Sequence, residues 1–277
     1  MDQLRYLPWV ILHIPHDSNV IPSEVRSQFL LSDAELKLEL QRMTDHFSHA
    51  LFAEPHGDAT VVRAPVSRLV VDVERFPDDA TEPMAGRGMG AIYEVTSQLA
   101  PLRRQLSAQE RDALMLEWYH SHHHRLETAV SDAVARYGRC VVIDCHSFPG
   151  TALPYEQADP AVERPDICIG SDPYHTPEWL EQAFVEAFCR DGWRVSVNDP
   201  FAGALVPANR YQVDPRVTAV MVEVNRDLYL DSKTFEPKLD FGRVADAIKA
   251  YCFDALAKCF AEYSNLSTRQ STLARGA

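Results

Sequence analysis

Two histidines stand at the ends of apolar, β-branched runs in distant parts of the chain. His16 follows the run "WVILHI" (9–14), and His146 follows "CVVIDC" (140–145). Zinc favours neutral imidazole nitrogens, and a catalytic zinc site usually has three protein ligands with a fourth position for water. The two histidines are therefore candidate zinc ligands, although each one alone fits an ordinary packed or surface histidine equally well.

The third zinc ligand is expected from the segment "MTDHFSHALF" (43–52). Asp45 is the first candidate, because a carboxylate can complete a catalytic site that has two imidazoles. His46 and His49 are neighbours on the same predicted helix and are the alternatives. Ordinary amphipathic packing is the competing interpretation of the whole segment.

Glu223 interrupts an apolar strand end in "VMVEVNRDLYL" (220–230). A carboxylate is costly to bury unless it is paired or coordinates something. Its partner could be a structural arginine. The functional alternative is a general base that deprotonates the attacking water and then passes the proton to a leaving amine. Partial burial would raise the pKa of Glu223 toward the range that suits this work.

Arg68 and Arg75 bracket the apolar run "RLVVDV" (68–73). A guanidinium can grip a carboxylate with two parallel hydrogen bonds, so convergent arginines could select a small anionic substrate. The alternative is intramolecular pairing with a neighbouring carboxylate, namely Asp72, Glu74 or Asp78.

The segment "YHSHHHRLETAV" (119–130) is rich in histidine, but it lacks a metalloprotease pattern. His120 and His124 share one face of a predicted helix, yet Ser121 stands where the H-E-x-x-H motif needs glutamate. Most of these histidines are expected to be solvated, and His124 is retained as a substrate-binding candidate or a supporting residue. The chain also lacks a G-x-G-x-x-G motif, a Walker loop and a G-x-S-x-G elbow, which argues against dinucleotide, phosphoryl-transfer and serine-hydrolase chemistry.

Strands that alternate with helices would have to position these residues. The strand candidates are 9–14, 59–64, 68–73, 140–145, 166–170, 193–197 and 219–224. Capping boxes at Ser32 and Ser107 predict helices that end near Phe52 and Gly138, Pro177 opens a third helix, and 239–263 is a C-terminal helix. This alternation predicts one α/β domain, residues 1–264, with a mixed or parallel sheet and a flexible tail at 265–277. Sites in such sheets form at the carboxyl ends of the strands, where the candidate residues lie.

One long connection is expected to lack regular structure. Residues 76–93, "FPDDATEPMAGRGMGAIY", are rich in glycine, proline and aspartate. Loops of this length in compact domains are usually functional or disordered. We therefore expect a loop that could act as a lid.

Composition limits the partners of the chain. The formal charge of −13 argues against nucleic acid as a partner, although a few local arginines could still bind a small anion. No segment approaches the roughly 18 apolar residues of a membrane helix. Six cysteines without a C-x-x-C pair are typical of reduced thiols in a cytoplasmic protein. A monomer and a homo-oligomer are both compatible with the sequence.

Several motifs together resemble those of the N-formylglutamate amidohydrolase family. In order from residue 13 to residue 231 they are "HIPHDS", "MTDHF", "VSRLVVDVER", "HHHRL", "VVIDCHSFP", "DICIGS", "NDPFAGA" and "VEVNRDLYLD". The resemblance implies zinc-dependent hydrolysis of N-formyl-L-glutamate to formate and L-glutamate, in histidine breakdown. It also implies the α/β/α architecture of zinc carboxypeptidases and related deacylases, a mixed sheet flanked by helices on both faces.

The resemblance further implies an order of roles along the chain: metal histidine, metal carboxylate, two arginines, metal histidine and catalytic glutamate. That order is filled by His16, Asp45, Arg68, Arg75, His146 and Glu223. Arg68 would steady the oxyanion, while Arg75, together with Asn225, would hold the substrate carboxylate. The related carboxypeptidases carry their acidic ligand three residues after the first histidine, and position 19 here is asparagine.

Two positions depart from the family pattern. Glu74 stands where the family usually has asparagine, and Gly203-Ala204 replaces a Gly-Gly pair. A glutamate facing a substrate carboxylate would repel it unless its side chain turns away. A deacylase or carboxypeptidase-like hydrolase for another small anionic amide therefore stays open, as does a binding protein that has lost catalysis.

Overall fold

Six strands form one mixed β-sheet in the computed structural model, which describes residues 7–54 and 57–274, with side chains through Cys259. The strands are β1 (Val10–Ile14), β2 (Thr60–Arg63), β3 (Cys140–Phe148), β4 (Ile167–Gly170), β5 (Val195–Val197) and β6 (Val217–Asn225). Their order across the sheet is β2-β1-β3-β6-β4-β5. Strands β2, β1, β3 and β6 are mutually parallel, β4 is antiparallel to β6, and β5 is parallel to β4. The predicted single α/β domain with a mixed sheet is confirmed.

Helices cover both faces of the sheet. They are α1 (Asp33–Met43), α2 (Ser48–Phe52), α3 (Ala108–Leu114), a π-helical segment (Met115–His120), α4 (Ser121–Tyr137), α5 (Glu178–Cys189) and α6 (Phe241–Ala274). The side chains of alternate β1 residues pack in two different hydrophobic clusters. Leu12 packs with apolar residues of α2, α5 and α6, whereas Ile11 packs with residues of α4. This alternation follows from the two-residue period of a strand and produces the three-layered arrangement.

The predicted helix 33–52 is divided in two. Ser32 caps α1 with a complete capping box, as expected, but the helix ends at Met43. Thr44 is extended, Phe47 adopts a left-handed conformation with φ of 63°, and α2 starts at Ser48. In the gap the Asp45 N–H donates to the His16 carbonyl at 2.9 Å, which ties this break to the end of β1.

The predicted strand at 68–73 is wrong, because this segment forms turns. The Val70 N–H donates to the Ser67 carbonyl at 2.8 Å, and the Asp72 N–H donates to the Ala91 carbonyl at 2.8 Å. Its apolar side chains are buried in a separate cluster with residues of α1, α3 and the 84–95 region. The β-branched run therefore reflects burial of a loop, not pairing within the sheet.

The 76–93 connection is irregular, apart from a 3-10 turn at Ala85–Arg87. Its second half is anchored by Met89 and Tyr93, which are fully buried. A lid movement of this loop stays a prediction. Helix α6 continues to Ala274, whereas the predicted helix ended at 263. Mobility of the tail at 265–277 stays a prediction, and its last three residues lie outside the described part. Within the described residues, no helix is both long and apolar enough to cross a membrane.

Candidate metal centre

Three predicted ligands converge at the carboxyl end of the sheet. His16 follows β1, His146 lies near the end of β3, and Asp45 occupies the break between α1 and α2. The Nδ1 atom of His146 lies 3.1 Å from Asp45 Oδ2, and Nδ1 of His16 lies 3.7 Å from the same oxygen. One ligand atom from each residue lies within 4.8 Å of the others, and all three side chains are buried. The structure therefore brings this predicted ligand set together.

The Nε2 atom of each imidazole contacts a second carboxylate. His16 Nε2 is 2.8 Å from Asp72 Oδ1, and His146 Nε2 is 3.0 Å from Asp144 Oδ1. A carboxylate accepts at its oxygens, so these contacts place a proton on Nε2 of each imidazole, while Nδ1 of each ring faces Asp45, as is usual for metal-binding histidines. Nδ1 of His16 is buried and has no hydrogen-bond partner among the described residues. A buried acceptor of this kind fits a cation ligand.

Arg226 holds Asp45 in place, and the sequence reasoning gave it no role. Its Nη2 donates to Asp45 Oδ1 at 2.8 Å and to the Ser147 carbonyl at 2.9 Å, while Nη1 donates to the Arg42 carbonyl at 2.7 Å. Burial alone would raise the pKa of the Asp45 carboxyl. The hydrogen bond from His146, the nearby His16 ring and the charge of Arg226 lower it well below its ordinary value. The only sequence signal for Arg226 was its position three residues after Glu223.

Glu223 lies on β6 directly opposite His146 on β3. Its side chain is buried, and its Oε2 atom has no hydrogen-bond partner in the described part of the chain. Burial, with a contribution from the Asp45 charge, raises the pKa of Glu223 to about 7, although His146, Arg226 and Arg68 oppose the shift. A carboxyl group with this pKa can accept and return a proton near neutral pH.

Asp72 links the two predicted arginines to His16. Arg68 donates through Nη2 to Asp72 Oδ2 at 2.8 Å and through Nε to the Tyr93 hydroxyl at 3.0 Å. Nε of Arg75 lies 3.6 Å from Asp72 Oδ2. Intramolecular pairing, the alternative interpretation of these arginines, is thus present, but both side chains also line the cavity at the centre.

A cavity of about 430 Å³ opens beside the three candidate ligands and Glu223. Five arginines line it: Arg42, Arg68, Arg75, Arg87 and Arg226. The chain carries a formal charge of −13, yet these five arginines outnumber the four carboxylates of the lining, which are Asp45, Glu74, Glu156 and Glu223. Such a lining suits a small anionic ligand.

Glu74 lines the same cavity, and its carboxylate lies beside imidazoles. Its Oε1 is 3.3 Å from His13 Nδ1, and its Oε2 is 3.6 Å from His146 Nε2. Burial, together with the charge of Asp144, raises the pKa of Glu74 well above its ordinary value. A protonated Glu74 would not repel an anion in the cavity.

Two predicted substrate-binding residues do not reach the cavity. His124 is exposed on α4. Asn225 accepts a hydrogen bond from the Asp227 N–H at 3.0 Å, and its amide donates to the Pro165 carbonyl at 2.9 Å. These bonds commit the Asn225 side chain to the turn after β6, so neither residue lies among those that line the cavity.

The alternative metal ligands are also placed elsewhere. The His46 ring bonds to the Gln41 carbonyl at 2.7 Å and packs against Phe235, while His49 is exposed. Of the three candidates in this segment, Asp45 alone belongs to the buried cluster with His16 and His146.

Comparisons with known proteins agree with this architecture. The family model for N-formylglutamate amidohydrolase matches residues 8–230. The crystal structure of N-formylglutamate amidohydrolase from Ralstonia eutropha JMP134 has a TM-score of 0.79, with 20% identity over 94% of this chain and 96% of that chain. A gene product of Agrobacterium tumefaciens has a TM-score of 0.66, with 21% identity over 92% of each chain. No curated protein matches the sequence significantly. With its α/β fold and a family match over most of its length, the chain belongs to the N-formylglutamate amidohydrolase family.

Proposed function

We propose that this protein is a zinc-dependent amidohydrolase that cleaves a small N-acyl amino acid, with N-formyl-L-glutamate as its substrate. The observation that carries this proposal is the convergence of His16, Asp45 and His146 beside a buried Glu223. Family membership supports a hydrolase that acts on a non-peptide amide. The arginine-lined cavity supports an anionic substrate.

The donor set fits zinc. Two imidazole nitrogens and one carboxylate oxygen are a common combination for catalytic zinc, and both imidazoles have carboxylates behind them. The buried, unpartnered Nδ1 of His16 is the acceptor that an ion would satisfy. When bound, zinc supplies Lewis-acid chemistry, since it polarises a carbonyl group and lowers the pKa of water.

The chain's own residues would supply binding and proton transfer. Glu223 would take a proton from the attacking water and deliver it to the departing amine, for which a pKa of about 7 is well suited. Arg68 would stabilise the negative charge that develops on the substrate oxygen. Arg75 would hold a substrate carboxylate, because its guanidinium lines the cavity and its contact with Asp72 involves Nε alone, at 3.6 Å.

Metal removal and reconstitution test the proposal. We expect chelation to abolish hydrolysis of N-formyl-L-glutamate and stoichiometric zinc to restore it, with about one zinc per chain by elemental analysis. Full activity in protein shown to be free of metal would contradict the mechanism.

Glu74 favours a second candidate, hydrolysis of a different small anionic amide. Its side chain lines the cavity and could alter the acyl group or amino acid that is accepted. A screen of formyl, acetyl and succinyl derivatives of glutamate, aspartate and histidine would separate the two candidates. The proposed compartment is the cytoplasm, which the buried free thiols of Cys140, Cys145 and Cys168 support.

A further inference from the structure

A buried hydrogen-bonded chain extends from His146 to helix α4. Nε2 of His122 lies 2.8 Å from Nε2 of His13, and Nδ1 of His13 lies 2.8 Å from Asp144 Oδ1. The same oxygen lies 3.0 Å from His146 Nε2. His13 and His122 are completely buried, and neither lines the cavity. We call His122, His13, Asp144 and His146 the imidazole chain.

The contacts of Asp144 fix where protons lie in this chain. Its Oδ2 accepts a hydrogen bond from the Leu205 N–H at 3.0 Å, while its Oδ1 faces an imidazole nitrogen of both His13 and His146. A carboxylate in these surroundings is an acceptor at both oxygens. His13 must therefore donate through Nδ1, and His146 must donate through Nε2.

The same reasoning extends to His122. Burial lowers the pKa of His13, and burial followed by the charge of His13 lowers the pKa of His122 to about 2, so both rings are neutral. A neutral His13 that donates through Nδ1 has a bare Nε2, which must accept a hydrogen bond from His122 Nε2. Nδ1 of His122 is then bare, and it faces a donor, Arg125 Nη2, at 3.4 Å. Every contact in the chain is satisfied by this one arrangement.

We propose that His13 and His122 are positioning residues that orient Asp144, so that His146 keeps its Nε2 proton toward Asp144 and its Nδ1 toward Asp45. The inference rests on the proposed function for the identity of the ion, but the hydrogen-bonded chain is present without an ion. His122 fixes the tautomer of His13, and His13 holds the Asp144 oxygen that His146 shares. Hydrogen bonds thus connect His122 on α4 to the metal centre by way of His13 on β1 and Asp144 on β3.

A purely structural role is the competing interpretation. His122 stands one helical turn before Leu126 on α4, and Leu126 belongs to an apolar cluster with Val142 and Ile11. Replacing both partners of a buried polar pair by apolar side chains can be almost neutral for stability. Leucine at both positions would therefore preserve the fold if packing were their only contribution. A loss of zinc affinity without a matching loss of stability identifies positioning.

Variants that keep or remove a donor form matched pairs. In His13→Asn the amide nitrogen stands close to the position of imidazole Nδ1 and can still donate to Asp144, whereas His13→Leu cannot. His122→Gln likewise keeps a donor near the position of Nε2, whereas His122→Leu does not. We expect zinc affinity, measured by competition with a chromophoric chelator, to fall roughly tenfold in His13→Leu and by a smaller factor in His122→Leu. The asparagine and glutamine variants should stay within about threefold of wild type.

Nitrogen-15 NMR of histidine-labelled, metal-free protein tests the arrangement directly. The wild type should show protons on His13 Nδ1, His122 Nε2 and His146 Nε2, and His13→Leu should shift the His146 Nε2–H resonance upfield, because Asp144 loses the partner that orients it. A wild-type proton on His13 Nε2 or His122 Nδ1 would overturn the proposal, even if no variant folds. It would also fail if folded His13→Leu kept both the wild-type His146 Nε2–H resonance and wild-type zinc affinity. Absence of zinc binding to wild-type protein would instead refute the proposed function and leave the tautomer result intact.

Discussion

At the scale of single residues, Glu223 shows how burial prepares a group for chemistry. Parallel pairing of β6 with β3 places it opposite His146. Burial is the main reason that the pKa of Glu223 rises to about 7, while His146 and Arg226 limit the rise. An isolated surface glutamate would be ionised at neutral pH but would be a weak base.

Replacement of Glu223 by glutamine keeps the shape of the side chain and removes its basicity. We expect Glu223→Gln to lower kcat for N-formyl-L-glutamate by about 10²–10⁴-fold, the usual contribution of a positioned general base. Zinc content, measured by elemental analysis, should be unchanged, because Glu223 does not belong to the ligand cluster. The exposed carboxylate variant Glu178→Gln is the control, and equal turnover of the two variants would contradict the assignment.

The pH dependence of kcat/KM should report the same group. A general base works in its ionised form, so activity should increase with pH through the pKa of Glu223. The raised value of about 7 applies without an ion, and a nearby cation would lower it toward the ordinary 4.5. We therefore expect an acid limb with its midpoint between these two values. A profile that is flat from pH 4.5 to 7 would be inconsistent with Glu223 as the base.

Other site residues illustrate what a sequence can reveal. His16, His146 and Glu223 were predictable because polar residues that end buried strands meet at one edge of an α/β sheet. The role of Arg226 was not predictable, because its bond to Asp45 joins positions 181 apart in the chain. Asn225 could not be placed correctly, since its side chain turns to cap the residues that follow it. Such side-chain directions depend on local backbone geometry that no spacing rule provides.

Among the secondary-structure elements, the segment at 68–73 was wrongly predicted as a strand. Central strands are recognised by continuous apolar runs, and β3 and β6 were found in this way. A buried loop that packs against α1 and α3 presents the same composition. Conversely, the break at Thr44–Phe47 lies inside a pattern that is consistent with a helix. Phe47 adopts a left-handed conformation that few residue types favour, so this break was not predictable from residue pattern.

Arg103 supports the 68–73 segment from behind. The buried guanidinium donates through Nη2 to the carbonyl of Leu69, and the same nitrogen lies 3.3 Å from the carbonyl of Val70. Arg103→Leu would leave these buried carbonyls unsatisfied, and we expect the free energy of unfolding to fall by about 1–3 kcal/mol. Because the segment carries Arg68 and Asp72, kcat/KM should fall as well. Urea denaturation and steady-state kinetics measure the two effects.

The neighbouring Arg104 provides the control for that experiment. It is an exposed arginine that pairs with Glu110, and Arg104→Leu removes the same kind of side chain from the surface. Its effect on stability should be much smaller than that of Arg103→Leu, and activity should be unchanged. Similar losses in both variants would show that the contacts of Arg103 do not support the site.

At the scale of the whole molecule, stability and metal binding should be coupled. The fold buries the carboxylates of Asp45, Asp72 and Asp144 around the imidazoles of His16 and His146. A bound cation offsets their mutual repulsion in the folded state, and the unfolded chain has no preformed site. Free zinc at 100 times Kd should therefore stabilise the protein by about 2.7 kcal/mol.

Thermal unfolding with and without zinc tests this coupling. The midpoint should rise with zinc in wild type and in His124→Ala, whose side chain is exposed on α4. It should not respond in His16→Ala or His146→Ala. Zinc stabilisation that survives either of the latter substitutions would place the ion elsewhere.

Anomalous diffraction from zinc-soaked crystals would locate the ion directly. A peak at the zinc absorption edge is expected at about 2.0–2.1 Å from Nδ1 of both His16 and His146, with an Asp45 oxygen at about 2.0–2.2 Å. With zinc present at saturating concentration, a peak at another cluster or no peak beside these three residues would contradict the account.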